Sequence, residues 1–554
     1  MKENQFDVVI LGTGLVESIT AAALSKAGYK VAHIDPSPYY GAEEASLSLE
    51  ELVKWADETA SSSPTSRFCH TSRSSDVPSQ SRQYAICLQP SVIPSVGPLI
   101  SSLIMSGVAK YSGFRLLDSV SVYDASGRTR SVPGSKEDIF KSKDISLIEK
   151  RRLMRFLTFA AGDFAEQIEF EGKADIPFLQ FLQSTFSLSQ ETSTVIAYSL
   201  AFCMSPTEPA GSTLQRLQRY LRSSGRYGPS PFLVGHYGGI GDIAQGFCRA
   251  SAVSGGVYIL GRKITKLSRV QPITSPLDAS PPPAEIDDEP TFNYDLVLED
   301  FPDTLQCNLV ISSAAFVPPD LNDQTLRLSR LTEGSRPDVS CMARCIAIID
   351  EPLSLKSSLS SSVQEEAAEQ ADNSSSAEPR GAVDTGVLVF PPSTVSGGST
   401  SHSCTVFING EGSLATPKGK WLIYVGLPLE TLPDTSTTPE TLVAPYLNTL
   451  MHLSADPSKA PLKPLFTTFY LERPSSASDN MPSSDHSQLS DYLVPPPLPI
   501  ASLPDISDEA AQIAERTFGE AVKALRKSGQ DVGDTDIPFW PPLPAEEDND
   551  DDEW

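Results

Sequence analysis

A strongly apolar tetrapeptide, Val8-Val9-Ile10-Leu11, runs directly into Gly12-Thr13-Gly14, and this junction restricts the fold more than any other feature of the chain. Two glycines one residue apart after a strand let the backbone turn tightly and start a helix at once. A second run, Lys30-Val31-Ala32-His33-Ile34-Asp35, has the character of another strand. Strand, glycine turn, helix and strand in this order predict a βαβ unit and a parallel sheet with helices on its faces. The expected fold class is α/β, of the FAD/NAD(P)-binding Rossmann-like type.

In the dinucleotide fingerprint of such folds the first glycine makes the turn, the second admits the pyrophosphate, and the third lets the helix pack on the strand. Gly12 and Gly14 fill the first two places, and Asp35 ends the second strand, where an acidic side chain would accept from a ribose hydroxyl. The third place holds Glu17. Its bulk and charge stand near the site of an anionic pyrophosphate, and like charges in a poorly solvated cleft repel strongly. Gly12, Gly14, Glu17 and Asp35 therefore read as a vestigial motif that holds no flavin, with Glu17 bonded to backbone or to a neighbouring basic residue.

Bulk properties narrow the function. With 70 acidic and 43 basic residues the formal net charge is -27. That charge argues against nucleic acid as a partner, because such binding needs Lys and Arg to neutralise phosphates. The eight cysteines are scattered, with no CxxC pair and no histidine at zinc-finger spacing, so they read as reduced, mostly buried thiols and no metal site is expected. No GxSxG elbow, HExxH pair or P-loop is found. No apolar run reaches the roughly 18 residues of a spanning helix, the first apolar stretch is cut by Glu17, and Asp551-Asp552-Glu553-Trp554 is no prenylation box. A cytoplasmic protein is expected.

Composition and periodicity divide the chain. Residues 1–134 are expected to form the first part of the α/β domain, with a Ser-rich disordered insertion at 57–81. Residues 135–223 turn helical: Leu153, Phe156, Leu157 and Ala160 recur at three- and four-residue spacing, and Ser146 with Glu149 fits a capping box. This all-helical second domain is inserted into the first, which resumes over 224–473. There the β-like runs 257–260, 307–312, 345–349, 387–390, 404–408 and 421–426 would complete the first domain, with flexible insertions at 271–290 and 353–380. A linker at 474–490, a C-terminal segment at 491–540 with a helix over roughly 507–527, and an acidic tail at 541–554 follow.

Two blocks match a known family. Gly12-Thr13-Gly14-Leu15-Val16-Glu17 with Asp35-Pro36-Ser37-Pro38-Tyr39-Tyr40-Gly41 resembles the N-terminal signature shared by Rab GDP-dissociation inhibitors and Rab escort proteins. The second block begins at Gly225-Arg226-Tyr227-Gly228-Pro229-Ser230-Pro231-Phe232 and continues through Tyr237-Gly238 to Gly241-Asp242-Ile243-Ala244-Gln245-Gly246-Phe247-Cys248-Arg249 and Gly255-Gly256-Val257-Tyr258. It is similar to the family's other long motif. The resemblance implies a flavin-monooxygenase-like domain I without bound flavin and a helical domain II. It also implies that both blocks meet in a platform for the switch regions of a GDP-bound Rab GTPase, with contacts at Tyr40, Asp242, Gln245 and Arg249. The family usually has glutamate where Asp242 stands, and this chain carries one extra residue between Tyr237 and Asp242. Without the family, Tyr40 reads as a turn aromatic and Gln245 or Arg249 as helix-capping groups.

The stretch from Asp138 through Phe140 to Arg151 resembles the escort branch in particular. There a phenylalanine eleven residues before an arginine anchors the α subunit of the Rab geranylgeranyltransferase α/β heterodimer, and Phe140 and Arg151 match. Dissociation inhibitors generally lack the phenylalanine. From spacing alone, Phe140 reads as a core residue and Arg151 as a solvated helix charge. The resemblance implies a non-catalytic accessory subunit that presents Rab for prenylation, takes the geranylgeranyl lipid between helices of domain II, and contacts membranes transiently on delivery. A Rab GDP-dissociation inhibitor and an FAD-dependent oxidoreductase are the alternatives.

Overall fold

The strand Gln5–Leu11 is buried along its whole length, so both faces of its sheet must be covered. In the computed structural model, which describes residues 3–63, 65–131, 145–270, 292–329, 339–355, 382–434, 436–454, 460–474, 490–527 and 537–542, adjacent side chains of this strand enter different cores. Val8 and Ile10 pack with Leu15, Ile19, Ile243 and Phe247, while Val9 and Leu11 pack with Leu296, Leu305 and Tyr492. The strand pairs in parallel with Val31–Asp35 on one side and Leu305–Ser312 on the other, and Val31–Asp35 pairs in parallel with Val257–Leu260. Tyr294–Leu298 and Ile264–Arg269 add an antiparallel margin. The helices Leu15–Lys26, Pro98–Ser106, Ile240–Val253 and Ile506–Lys527 share the core on one face. This is a Rossmann-like α/β layer, opened by the βαβ unit that the glycine turn predicts.

The later strands form a sheet of their own. Cys341–Ile349, Thr385–Phe390, Cys404–Asn409 and Trp421–Leu429 do not extend the first sheet; they build a second eight-stranded one, with Ser119–Tyr123, Thr129–Ser131, Phe466–Glu472 and Phe68–Arg73. Cys345, Ala347 and Ile349 face a core shared with Val443, Tyr446 and Leu450 of the helix Pro439–Met451. Ile346 and Ile348 face the opposite way, into a core shared with Phe156, Phe181, Leu214 and Leu217. The helices Leu147–Ala161, Phe178–Phe186 and Ala210–Ser223, with the turn Ile196–Leu200, thus share a core with the second sheet.

Residues 57–81 also differ from the reading as a disordered insertion. Phe68–Arg73 is a strand paired with Phe466–Glu472, and Arg73 Nε reaches Asp57 Oδ1 at 2.8 Å. Buried Phe68 and Cys69 anchor it, a two-residue apolar signal submerged in serines. Leu353 and Leu355, at the start of the expected 353–380 insertion, are likewise buried. Ser146 accepts from Glu149 N at 3.3 Å, but the Glu149 carboxylate accepts from Ser189 N at 2.8 Å, so the second half of the expected capping box ties two helices together. All eight cysteines are buried and none is in a disulfide. Among the described residues no helix is long and apolar enough to cross a membrane, and no metal-ligating cluster is found.

Candidate functional site

A dinucleotide at the glycine turn needs room over Gly14, free amides at the start of the Leu15–Lys26 helix and a free carboxylate on Asp35. None of the three is there. A Cβ on Gly14 would stand 2.7 Å from Glu17 Oε2 and 2.8 Å from Glu44 Oε2, so two carboxylates of this chain crowd the place of the pyrophosphate. Glu44 Oε2 also accepts from Leu15 N at 3.3 Å, capping the helix where an anion would bind. Both oxygens of buried Asp35 are taken: Oδ2 accepts from Thr13 N at 2.7 Å and Thr13 Oγ1 at 2.6 Å, and Oδ1 from Ser37 N at 2.8 Å. Groups of this chain thus fill the glycine turn.

Burial pushes the Glu17 carboxyl up to about 7, with Glu44 and Asp35 adding repulsion. Glu44 is also pushed up to about 7 by burial, against the pull of Arg67. Arg67, itself largely buried, pairs with Glu43 and lies 3.7 Å from Glu44 and 3.9 Å from Glu472. Glu44 and Arg67 went unrecognised in the sequence, because one follows a turn motif without a helical pattern and the other lies in the Ser-rich stretch.

The residues expected to form a platform come from two elements. Asp242, Gln245 and Arg249 stand at three- and four-residue intervals on the Ile240–Val253 helix and share one face. Gln245 and Arg249 are exposed and Asp242 is half-buried, while Ile243, Ala244 and Phe247 point into the core. The Arg249 guanidinium lies over the Tyr111 ring, 4.7 Å from its centroid, in the geometry of a cation held by an aromatic face. Burial raises the Asp242 carboxyl above the usual carboxylate range, and among the described residues it has no hydrogen-bond or ion-pair partner.

Tyr40 reaches the same region from the loop after Val31–Asp35. Its ring meets Tyr258 edge-on with centroids 5.8 Å apart, and Tyr258 in turn lies 5.0 Å from His33, whose Nδ1 is 3.2 Å from the Tyr258 hydroxyl. The Tyr40 hydroxyl is raised by burial and by the neighbouring Cys248 thiol, and Cys248 precedes Arg249 on the helix. Burial holds His33 down at about 4, so the ring is neutral; its Nε2 meets the Gly12 carbonyl. Tyr40 and the Arg249 helix are thereby brought together beside the glycine turn. Exposed Tyr39, Tyr111 and Tyr237 are further aromatic groups of this part of the molecule that the sequence reading did not single out as contacts.

The helical layer carries the other expected residues. Arg151 is exposed on the first turns of Leu147–Ala161, beside Leu147 and Ile148, which are 75% and 64% exposed; Phe140 lies outside the described residues. Further along, an open cavity of about 410 Å³ is bordered by Met154, Thr158, Phe159 and Phe186, with the Arg155–Glu169 ion pair of 3.0 Å at its edge.

A family model described as GDP dissociation inhibitor matches residues 1–271. The chain is 35% identical over 286 residues to the "Rab proteins geranylgeranyltransferase component A" of Drosophila melanogaster, covering 48% of this chain and 54% of that one. It is 32% identical over 270 residues to the "Rab GDP dissociation inhibitor beta" of Rattus norvegicus, covering 48% and 58%. The chain thus spans about half the length of the curated relatives it matches. Among solved structures, the Rab GDI of Plasmodium falciparum aligns with a TM-score of 0.59 at 19% identity, over 93% of this chain and 98% of that one, a likeness of fold.

Proposed function

We propose, from the match of residues 1–271 to the GDP dissociation inhibitor family model, that the chain works as a Rab escort protein. The observation that carries this reading is that Tyr40, packed on Tyr258, lies near Cys248 of the helix bearing Asp242, Gln245 and Arg249, beside a glycine turn crowded by its own carboxylates. An aromatic ring, a carboxylate, an amide and a guanidinium on one surface can pair with the polar switch residues and backbone of a GDP-bound Rab GTPase. Asp242, with a short side chain and no internal partner, is poised to take its counter-charge from the Rab.

In this mechanism the chain performs no covalent step and holds no flavin. It binds GDP-loaded Rab on the platform, and the Rab C-terminal tail is presented to the Rab geranylgeranyltransferase heterodimer, which docks at Phe140 and Arg151. After transfer, the geranylgeranyl chain is taken up between the helices, for which the cavity beside Phe159 and Phe186 offers an entry. Each buried CH₂ contributes about 0.8 kcal/mol. Delivery to a membrane follows from a lipid that must be handed on.

The similarity to the rat dissociation inhibitor supports a second reading, in which the chain recycles prenylated Rab and ignores the transferase. Substituting Phe140→Ala separates the two. Losing an interface anchor costs roughly 2 to 4 kcal/mol, or about 30- to 1000-fold in transferase affinity, by titration calorimetry. Unchanged affinity with intact Rab binding favours the inhibitor.

A further inference from the structure

The polar groups of residues 12–15 hold a loop of this chain in place of a ligand. Gly41 N donates to Thr13 O at 3.0 Å and lies 3.1 Å from Thr13 Oγ1. Asp35 joins Thr13 to Ser37, and Glu44 accepts from Leu15 N. Tyr40 therefore sits between ties at Ser37, Gly41 and Glu44, all made to the same turn or to Asp35 beside it. The far end of this segment meets the other half of the platform. A Cβ on Gly241 would fall 2.5 Å from Ser46 N and 2.7 Å from Glu44 O, so only glycine lets the start of the Ile240–Val253 helix approach so closely. Ser46 Oγ donates to Tyr237 O at 2.7 Å, fastening the loop that leads into that helix.

We propose that Glu44 is a positioning residue for Rab binding: its carboxylate takes the place at the helix N-terminus that a pyrophosphate takes in dinucleotide folds, and so seats the 35–46 segment with Tyr40 against Tyr258 and near Cys248 of the Ile240–Val253 helix. The glycine turn has passed from holding a cofactor to holding a recognition loop. Carboxylates are favoured at that place because the first helical amides have no intrahelical partners and the helix dipole is positive there. The proposal rests on the Rab reading above and goes further by naming the residue through which the turn governs the platform.

The test is a double-mutant cycle on the full chain, read as affinity for a GDP-loaded Rab by titration calorimetry, with amide hydrogen exchange on the free protein. Glu44→Ala is expected to weaken binding about tenfold in the native background and by less than about twofold in a Tyr40→Ala background, since Glu44 acts through Tyr40. Glu44→Gln, whose amide oxygen still accepts from Leu15 N, should stay within about threefold of the native chain. Exchange at Leu15 and over residues 37–46 should quicken in Glu44→Ala and recover in Glu44→Gln. Equal loss in both backgrounds, or no loss where Tyr40→Ala alone weakens binding, overturns the positioning role, as does unchanged exchange. If Tyr40→Ala leaves Rab affinity intact, the Rab reading and the proposed role fail together; exchange then tells whether the loop is seated by Glu44 at all.

Discussion

Around Gly12 the chain is held by directed polar ties: Asp35 and Glu44 each accept backbone amides, and the Gly41 amide is shared between the carbonyl and hydroxyl oxygens of Thr13. Across residues 147–223 the cohesion is aromatic. Phe156 and Phe186 lie 5.2 Å apart, Phe159 and Phe186 5.0 Å, and Phe181 and Phe186 5.7 Å between ring centroids. Hydrogen bonds weaken steeply when bent, so the first region fixes the direction of each platform side chain. Apolar contacts are non-directional, and these rings meet edge-on or tilted, with Phe159 and Phe186 bordering an open cavity. One region sets polar side chains in fixed directions, the other is packed from aromatic rings.

The largest effect that would break this contrast lies in the aromatic layer. Phe156 is fully buried between Phe178 and Phe186, and Phe156→Ala should cost about 3 to 5 kcal/mol of unfolding free energy in denaturant melts. Below the melt, affinity for unprenylated Rab should change by less than about threefold, because the platform belongs to the other layer. Next comes Arg249→Ala, which should weaken GDP-loaded Rab by roughly 2 to 4 kcal/mol while shifting the unfolding midpoint little, as Arg249 is exposed. If either substitution damages both properties equally, the two regions are not separate devices.

A smaller effect sharpens the electrostatic half. The folded state raises Glu17 from 4.5 to about 7, so the folded chain binds a proton more tightly than the unfolded chain between those values. The stability tied to this group is present below 4.5 and is lost as pH rises through about 7. Glu17→Gln should flatten that loss by on the order of 1 kcal/mol in urea melts between about pH 5 and pH 8, a modest figure because Glu17 keeps some solvent contact. Glu44, raised for the same main reason, leaves a residual slope.

Legibility in the sequence followed the locality of the signal. Two strands and a glycine turn within one short stretch disclosed the βαβ unit, and Leu153, Phe156 and Ala160, spaced for one helix face, are indeed buried. The second sheet was not separable in the same way: Cys341–Ile349 and Thr385–Phe390 are buried on both faces, so their apolar runs carry no period to say which sheet they join. Glu17 stood out in the motif, but the group that caps the helix is Glu44, from the far side of the Tyr40 loop. The partner of Arg249, Tyr111, lies still further off in sequence, in a segment with no motif.

The central claim is that this chain escorts Rab to its lipidation, and reconstitution tests it directly. GDP-loaded Rab, the geranylgeranyltransferase heterodimer and geranylgeranyl diphosphate are combined with or without the purified chain, and lipid incorporated into Rab is followed over time. The account predicts incorporation only when the chain is present, and its loss with Arg249→Ala. Lipidation at the same rate without the chain would contradict it.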